Sequence, residues 1–478
     1  MKKHARRITS LVAAAAMSTA MVSVMPMEAS AATNQTYSNN TATFTYSIKD
    51  GTAEISDVAP KNVTNAYGEI TINVPATINN YPVVLGSYSF YRMNSPIAVD
   101  CMNVSAIKSK AFFVCNGLSE IILRSNCKNI ASSAFYDCDN LKRVMLQGSS
   151  FAVEDGSSLT IESYAFTDCG NLDYLSFGCR DDIIIKPNAF YGSMKLKNFD
   201  RTKASFDHCS LYVQPGAFNG TGIVNNSNAV KSASYMASHN GRYNCGDGKK
   251  MVGNVLIVNL LVNATDLPAY TYGSSYGANY GAGYNSWLLE EEAKKYGANL
   301  DIQTISATVS SKMKASEIKS CGDFTSRAVC LEGLKREYSF LSGCSSMTQA
   351  TQALKQHYNA DQIAYVVNLN ADEGSFAYSF MQSKEYAVVF SKSTVSYNNG
   401  HVWMHEVCHL FGAMDVYEGR VNNDSYTSTY LNHDIMYHNE PNVGWFTACN
   451  LGWTDTVLAE DYNAVVRNDN SAVWIDRD

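Results

Sequence analysis

The chain has 478 residues, of which 46% are hydrophobic and 17% are charged, and its formal net charge is −7. This composition allows a buried core and excludes general disorder and a collagen-like structure. At roughly 150 residues per domain the length corresponds to two or three domains, and we expect two large ones. The acidic balance argues against a protein that binds nucleic acid.

The first 31 residues have the features of a secretory signal. Basic residues at the start are followed by an apolar stretch from Leu11 to Met25 and by the small residues Ala29-Ser30-Ala31. This stretch is short and rich in alanine, so a cleaved signal peptide is favoured over an uncleaved membrane anchor. We therefore predict a signal peptide over residues 1–31. The mature protein is expected to be secreted or extracellular, or held at the cell surface, with no transmembrane anchor.

A unit of the form Ala-Phe-x-x-Cys-x-x-Leu recurs in the N-terminal half. Complete copies begin at Ala111, Ala134 and Ala165, and degenerate copies begin at Ser89, Ala189 and Ala217. Their phenylalanines are 22, 23, 31, 24 and 28 residues apart, a period that is typical of leucine-rich repeats. We expect each repeat to supply one short strand to a curved solenoid, with strands at Glu120 to Leu123, Arg143 to Leu146 and Tyr174 to Phe177.

The repeated cysteines Cys115, Cys138 and Cys169 are expected to form a buried ladder of small side chains, with disulfides among them as the alternative. The pattern resembles the BspA-like leucine-rich repeats of bacterial surface proteins, over roughly Thr43 to Ile223. The resemblance implies that the repeats bind a host or cell-surface protein or a glycan. We assign residues 32–224 to the repeat domain and the polar residues 225–249 to a flexible linker, so that the two halves are expected to fold independently.

After the linker the sequence pattern changes to an alternation of predicted strands and helices, which indicates an α/β or α+β domain over residues 250–478. The predicted strands are Asn254 to Asn263, Leu300 to Val309, Gln362 to Leu369 and Glu385 to Phe390, and the predicted helices are Ser286 to Tyr296, Leu331 to Tyr338 and Met347 to His357. The segment from Tyr270 to Tyr284 is rich in Tyr, Gly and Ser. It is expected to be a flexible surface loop, with an aromatic substrate-binding lip as the alternative.

Five of the nine histidines lie between His401 and His438, and two of them form the motif His405-Glu406-Val407-Cys408-His409. On a helix, residues i and i+4 share a face, so both imidazoles can bind one ion while Glu406 reaches a water on that ion. A catalytic zinc also needs a third protein ligand and an open position. Gly412 ends the helix and Asp415 supplies an oxygen ligand after the turn, which predicts a Zn²⁺ site.

The string from His405 to Tyr417, together with Asp434-Ile435-Met436-Tyr437, resembles a metzincin-type zinc endopeptidase with aspartate as the third ligand. It is most similar to the immune-inhibitor-A-like bacterial peptidases, whose Gly-x-x-Asp-x-Tyr and Leu-Gly-Trp elements match Gly412 to Tyr417 and Leu451 to Trp453. Most metzincins have a histidine in place of Asp415, and His433 is therefore the rival third ligand. The expected fold is α+β, with a leucine-rich-repeat solenoid followed by a metzincin-like α/β zinc peptidase domain.

The resemblance implies hydrolysis of a protein or peptide substrate by metal-activated water, with Glu406 as the general base. Either His438 or Tyr437 is expected to assist the tetrahedral intermediate. The strand from Glu385 to Phe390 is expected either to lie at the sheet edge, where extended substrate pairs, or to be an inner strand. Cys245, just before the domain, is a candidate to block the zinc until it is removed.

The other late cysteines are Cys321, Cys330, Cys344, Cys408 and Cys449. Cys321 and Cys330 form the expected local disulfide pair, and Cys408 is expected to be packed or disulfide-bonded rather than a metal ligand. A second class of function stays open: an adhesion or binding protein whose C-terminal hydrolase domain is degenerate. The retention of Glu406 beside three candidate ligands argues against this alternative.

Overall fold

The computed structural model describes residues 34–64, 68–101, 104–123, 127–146, 158–178, 182–201, 210–239, 250–371, 376–378, 386–390, 401–417, 421–438 and 441–466. The predicted signal peptide and Cys245 lie outside these residues. Within them, every helix is too short or too polar to cross a lipid bilayer.

The N-terminal half is a stack of short strands that form two long sheets. Its strands are β1 Gln35–Ser38, β2 Ala42–Lys49, β3 Thr52–Pro60, β4 Ile70–Val74, β5 Thr77–Ile78, β6 Tyr81–Leu85, β7 Ile97–Cys101, β8 Ala106–Ile107, β9 Leu118–Leu123, β10 Asn129–Ile130, β11 Arg143–Leu146, β12 Ser158–Ile161, β13 Tyr174–Phe177, β14 Asp182–Ile185, β15 Asp200–Arg201 and β16 Ser210–Val213. One sheet runs in the order β1-β2-β3-β6-β8-β10-β12-β14-β16 and the other in the order β15-β13-β11-β9-β7-β4.

The three predicted repeat strands are confirmed as β9, β11 and β13, which pair in parallel. Each repeat contributes a strand to both sheets, however, so the expectation of one strand per repeat is wrong. The missed strands in the other sheet are as short as Ala106–Ile107 and Asn129–Ile130. Two residues are too few to show the alternation by which a strand is recognised.

The repeated Ala-Phe units form turns between the two sheets, and their side chains fill the interior. Successive rings stack from Phe90 to Phe190, with centroids 4.4 to 5.1 Å apart. In two repeats a cysteine thiol contacts the carbonyl of the phenylalanine of the preceding repeat: Cys138 Sγ lies 3.0 Å from the Phe112 oxygen, and Cys169 Sγ lies 3.2 Å from the Phe135 oxygen. The cysteine ladder is thus confirmed as buried free thiols.

The C-terminal half is a three-layer α/β structure. Its elements are β17 Val230–Ser232, α1 Ala233–His239, β18 Gly253–Asn263, α2 Tyr272–Lys295, β19 Leu300–Ser310, α3 Ala315–Cys321, α4 Ala328–Glu337, α5 Met347–Tyr358, β20 Gln362–Leu369, β21 Phe376–Tyr378, β22 Tyr386–Phe390, α6 Val402–Leu410, α7 Asp424–Tyr430, α8 Ile435–His438, α9 Trp445–Leu451, β23 Thr456–Leu458 and α10 Ala459–Val465, with 3-10 turns at Ile223–Asn225, Phe324–Ser326 and Ser339–Leu341.

The main sheet of this half has the order β19-β18-β20-β22-β21, and all its pairings are parallel except that of β21 with β22. Alternate residues of β18 enter different cores. Val255 and Ile257 pack on the side of α2 and α6, whereas Leu256 and Val258 pack on the side of α3, α4 and α5. The predicted strands and helices of this half are confirmed, and most end positions shift by only a few residues, but the helix predicted from Ser286 begins much earlier, at Tyr272.

Three expectations need correction, and one open alternative is decided. The segment from Tyr270 to Tyr284 is largely the first half of helix α2, not a loop. Of the two positions left open for strand β22, the inner one is correct, because β20 and β21 flank it. Part of the predicted linker is folded, since β17 pairs antiparallel with β23 and α1 follows it directly. Finally, Cys321 and Cys330 are free thiols rather than a disulfide pair.

The two halves share one apolar core. Trp445 stacks near Phe199 and Phe218 of the last repeats, with ring centroids 6.3 and 6.5 Å away, and Tyr212 meets Tyr296 edge-on at 5.2 Å. Polar contacts join the same surfaces, as the Gly216 amide donates to Asp455 at 3.0 Å. The open end of the solenoid is therefore covered by the C-terminal half.

Candidate metal centre

Helix α6 carries the sequence Val-Trp-Met-His-Glu-Val-Cys-His-Leu and is buried from Trp403 to Leu410. One side packs on the sheet through apolar residues such as Met404 and Val407. The helix is adjacent to α2, where His401 Nδ1 lies 3.1 Å from Asn285 Oδ1. A short helix that is buried along its length holds its side chains in fixed positions, as a metal site requires.

His405, His409 and Asp415 converge on one point. The two histidine Nε2 atoms are 3.1 Å apart, and Asp415 Oδ1 lies 3.3 Å from His405 Nε2 and 3.2 Å from His409 Nε2. All three side chains are buried. The three ligand atoms thus form a nearly equilateral triangle.

The other nitrogen of each imidazole is held by a backbone carbonyl. His405 Nδ1 lies 2.9 Å from the Ile435 oxygen, and His409 Nδ1 lies 2.9 Å from the Ala413 oxygen. A carbonyl only accepts, so each Nδ1 carries a proton, which leaves each Nε2 as the ring nitrogen that can bind a metal. This is the tautomer that a metal-binding histidine adopts.

A glycine turn brings the third ligand back to the helix. The chain leaves α6 at Phe411, and Gly412 has a φ of +94°, a conformation that side chains with a Cβ rarely adopt. The Ala413 amide then donates to the Cys408 carbonyl at 3.1 Å, which closes the turn. Asp415 follows, and its second oxygen accepts a hydrogen bond from the Tyr417 hydroxyl at 3.3 Å.

The charges of the three ligands depend on one another. Burial by itself raises the pKa of the Asp415 carboxyl, but the two imidazoles outweigh burial and hold that pKa below its ordinary value. Burial likewise lowers the pKa of His405, and the contact with Asp415 reverses the direction, so that this pKa is raised. The cluster therefore favours a carboxylate that faces positive charge.

The segment that resembles a methionine turn lies beneath the cluster as helix α8. Met436 is fully buried, and its carbonyl accepts a hydrogen bond from the Val416 amide at 3.1 Å. Asp434 organises the turn by accepting bonds from the Met436 amide, the Gly444 amide and the Thr447 hydroxyl at 2.8 to 3.0 Å. Burial raises the pKa of Asp434 to about 6.

The sequence did not single out Asp434 as a supporting residue. The available signal was an aspartate directly before the buried pair Ile435-Met436. Glu406 is 3% exposed and lies beside His405 on α6, where the sequence placed it. Among the described residues, the triad that can hold a metal contains Asp415 and not His433. Tyr437 is half-buried, the side chain of His438 lies outside the described part, and Cys408 is buried as a free thiol.

The triangle fits zinc. Tetrahedral zinc with ligands at about 2.0–2.1 Å separates those ligands by about 3.4 Å, close to the distances between these atoms. With both Nδ1 protons directed at backbone carbonyls, neutral imidazoles bring two Nε2 lone pairs together at 3.1 Å, a contact that a cation between them relieves. In addition, Asp415 Oδ1 is buried against the same two imidazoles. A cation explains the three observations together.

Comparison with known proteins identifies the repeats. The model of the BspA type leucine-rich repeat region matches residues 83–224 in six copies, which makes this part of the chain a BspA-type repeat region. No curated protein matches the chain.

Solved structures of leucine-rich repeat proteins are also similar to the chain. One from T. pallidum is 17% identical, with a TM-score of 0.23 over 47% of this chain and 74% of that one. One from Bacteroides ovatus is 20% identical, with a TM-score of 0.23 over 39% and 57%. One from Bacteroides capillosus is 18% identical, with a TM-score of 0.19 over 37% and 98%.

Proposed function

We propose that the protein is a secreted zinc endopeptidase of the metzincin type, with a repeat domain that also contacts its target. The observation that carries the proposal is the triangle of His405, His409 and Asp415, with Glu406 beside it on the same buried helix. His405, His409 and Asp415 would hold the zinc, and three protein ligands are typical of a catalytic rather than a structural zinc site.

In this mechanism the protein positions one proton carrier next to the reacting water. Zinc held by the three ligands would supply a nucleophile at neutral pH and would polarise the substrate carbonyl. Glu406 accepts a proton from the attacking water and later donates it to the leaving amine. The hydrogen bonds that the two imidazole Nδ1 atoms donate to the Ile435 and Ala413 carbonyls hold the rings in place. The Tyr417 hydroxyl orients Asp415 by donating a hydrogen bond to Oδ2. Assistance by Tyr437 or His438 is part of the proposal.

The repeat domain carries exposed aromatic side chains that could bind a target. Large aromatic side chains of their turns are exposed, including Tyr88, Tyr91, Tyr164 and Tyr191. Exposed tyrosines are common in protein recognition sites. The second candidate function is a binding protein with an inactive hydrolase domain. The exposed tyrosines are the observation that favours it. The two candidates differ in whether the zinc site cleaves peptides.

The test compares two variants of the full-length protein. Replacing both His405 and His409 by alanine is expected to abolish zinc binding, because two of the three donors are lost. Glu406→Gln is expected to keep about one zinc per chain and to lower the hydrolysis of a diverse peptide library by several orders of magnitude, because only the base is lost. Metal content is measured by elemental analysis, and cleavage is measured with and without a chelator.

Zinc at full occupancy in the double histidine variant would disprove the site. If the wild-type protein binds zinc but cleaves no peptide in the library, the binding-protein alternative replaces the peptidase. Cleavage that survives both the chelator and Glu406→Gln would place the activity elsewhere in the chain.

A further inference from the structure

The loop between α8 and α9 is held on both sides by the end of helix α2. The Val443 amide donates to Glu292 Oε2 at 3.1 Å, and the Val443 carbonyl accepts a bond from the Tyr296 hydroxyl at 2.8 Å. Glu292 and Tyr296 are one helical turn apart, so the same face of α2 satisfies both backbone groups. Val443 is fully buried.

The same loop fixes the carbonyl that orients a zinc ligand. The Ile435 amide donates to the Asn442 carbonyl at 2.7 Å, and the Gly444 amide donates to Asp434 at 3.0 Å. Both contacts flank Val443, and both hold the turn whose Ile435 oxygen accepts from His405 Nδ1 at 2.9 Å. A displacement of Val443 is therefore transmitted to the imidazole through two hydrogen bonds.

Lys295 connects this face of α2 to the repeat domain. Its Nζ lies 2.9 Å from Glu292 Oε1, 3.3 Å from Asp182 Oδ2 and 3.0 Å from the Tyr212 hydroxyl. Asp182 and Tyr212 belong to neighbouring strands of the solenoid, β14 and β16. The cation thus lies between the last repeats and the carboxylate that holds Val443.

Glu292 faces this cation from a buried position. The residue is 6% exposed, and its burial raises the pKa of the carboxyl, whereas Lys295 and the hydrogen bond from the Val443 amide lower it. A buried carboxylate that loses its counter-ion either takes up a proton or moves toward water. In both cases the Val443 amide loses a charged acceptor.

We propose that Lys295 is a positioning residue through which the repeat domain holds the metal site in its binding geometry. The path runs from Asp182 and Tyr212 through Lys295 and Glu292 to Val443, and from there to Ile435 and His405. This inference rests on the proposed zinc function. It assigns the last repeats a role in the site that is independent of any target they bind.

The experiment uses full-length protein loaded with zinc or with Co²⁺. Lys295→Met removes the charge and keeps much of the side-chain length, and it is expected to speed zinc release to a chelator by about 10- to 100-fold, the effect of losing an outer support of a metal ligand. It is also expected to shift the visible absorption bands of the bound Co²⁺, which report ligand geometry and are insensitive to global stability. Lys295→Arg should restore most of both properties.

The matched control is Lys294→Met. Lys294 is the neighbouring residue and pairs with Glu291 at the same i,i+3 spacing, but this pair is exposed and contacts neither the repeats nor Val443. It is expected to leave zinc release and the Co²⁺ spectrum unchanged. Asp182→Asn serves as a second variant, since it keeps the Lys295–Glu292 pair and the contact with Tyr212 and removes only the negative charge that the repeats place beside Lys295, and we expect a several-fold faster release of zinc.

The outcomes separate this inference from the proposed function. A wild-type protein that binds neither zinc nor Co²⁺ contradicts the zinc function itself. If the wild type binds metal, and Lys295→Met and Asp182→Asn release zinc at the wild-type rate with an unchanged Co²⁺ spectrum, then the positioning role is wrong while the zinc site stands. Should Lys295→Met fail to fold, the result for Asp182→Asn decides the question alone.

Discussion

Asp415 is the candidate metal ligand on which the structure adds most to the sequence. The sequence left His433 as a rival, because most of the peptidases that the motif resembles have a histidine as the third ligand. In the structure, Asp415 Oδ1 lies within 3.3 Å of both imidazoles, and the turn at Gly412 is what brings it there. His433 instead precedes Asp434 in the turn below the cluster.

A pair of variants tests this assignment. Asp415→Ala is expected to weaken zinc binding by at least about 100-fold, because one of three donors and its negative charge are lost. His433→Ala is the matched control and should bind zinc as the wild type does. Zinc affinity is measured by competition with a chelator of known strength. The opposite pattern, with zinc kept by Asp415→Ala and lost by His433→Ala, would make His433 the third ligand.

The sequence was informative about residues that act within one helical turn and uninformative about residues that act across the fold. His405, Glu406 and His409 follow from spacing on a single helix. Lys295 and Asp434 act through partners that are 113 and 13 residues away. No local pattern marks such partners, since the contact exists only after the chain has folded.

Helix α2 shows why a helical segment can look like a loop. Its buried positions are occupied by small residues such as Ala278, Gly281 and Ala282, whereas the tyrosines spaced four apart, Tyr272, Tyr276 and Tyr280, are exposed. A helix is usually predicted from large apolar residues that recur on its buried face, whereas in α2 the large residues recur on the exposed face. The hydrogen bonds between Thr271 and Ser274 cap the start of the helix. This capping offsets part of the helix stability that is lost at the glycines.

Two helix glycines give opposite predictions for the same substitution. Gly283 in α2 is exposed, and a Cβ there meets no atom within 4 Å. Gly283→Ala is expected to raise the free energy of unfolding by about 0.5–1 kcal/mol, because alanine restricts the unfolded chain and favours the helix. Urea denaturation measures the change.

Gly333 in α4 is the counterpart. A Cβ there would lie 2.9 Å from the Thr308 carbonyl oxygen and 2.9 Å from Val309 Cγ2, so α4 and β19 would have to separate. Gly333→Ala is expected to lower the free energy of unfolding by about 1–3 kcal/mol despite the same gain in helix propensity. Destabilisation by Gly283→Ala would show that α2 is not a regular helix at that point.

At the scale of the whole molecule, the sequence predicted the repeat period and the α/β half that carries the histidine motif. It did not predict that the two halves pack against each other. The last strand of the solenoid, β16, shows the covered end only in the folded structure. Leu211, Tyr212 and Val213 are consecutive buried residues, whereas burial alternates along the preceding strands β12 and β14. A terminal repeat that faces solvent has a polar outer side. The sequence alone does not mark this end, because the inner strand β14 also has three apolar residues in succession, Ile183 to Ile185.

The covered end changes what is expected of an isolated C-terminal half. A fragment beginning at Lys250 lacks β17, which pairs with β23, and exposes Trp445 and Tyr296, whose rings lie against the last repeats. We therefore expect this fragment to be insoluble or to lose zinc readily, contrary to the independent folding that the linker suggested. A soluble fragment that cleaves small peptides at the full rate would restore the picture of two separable domains.

A point variant tests the shared core without removing any segment. Phe218 is 3% exposed and contacts Phe190, Phe199 and Trp445, so Phe218→Ala is expected to lower the free energy of unfolding by about 3–5 kcal/mol. Because the cavity opens against Trp445, zinc should be released at a correspondingly lower urea concentration than in the wild type.

Phe90→Ala is the matched control at the far end of the same stack, where the ring contacts Phe112. Repeats transmit stability mainly to their neighbours, so Phe90→Ala should loosen the first repeats and leave the midpoint of zinc release nearly unchanged. Equal shifts of that midpoint in both variants would mean that the solenoid and the α/β half unfold as one unit, and no shift in either would mean that the contact at Trp445 contributes nothing to the metal site.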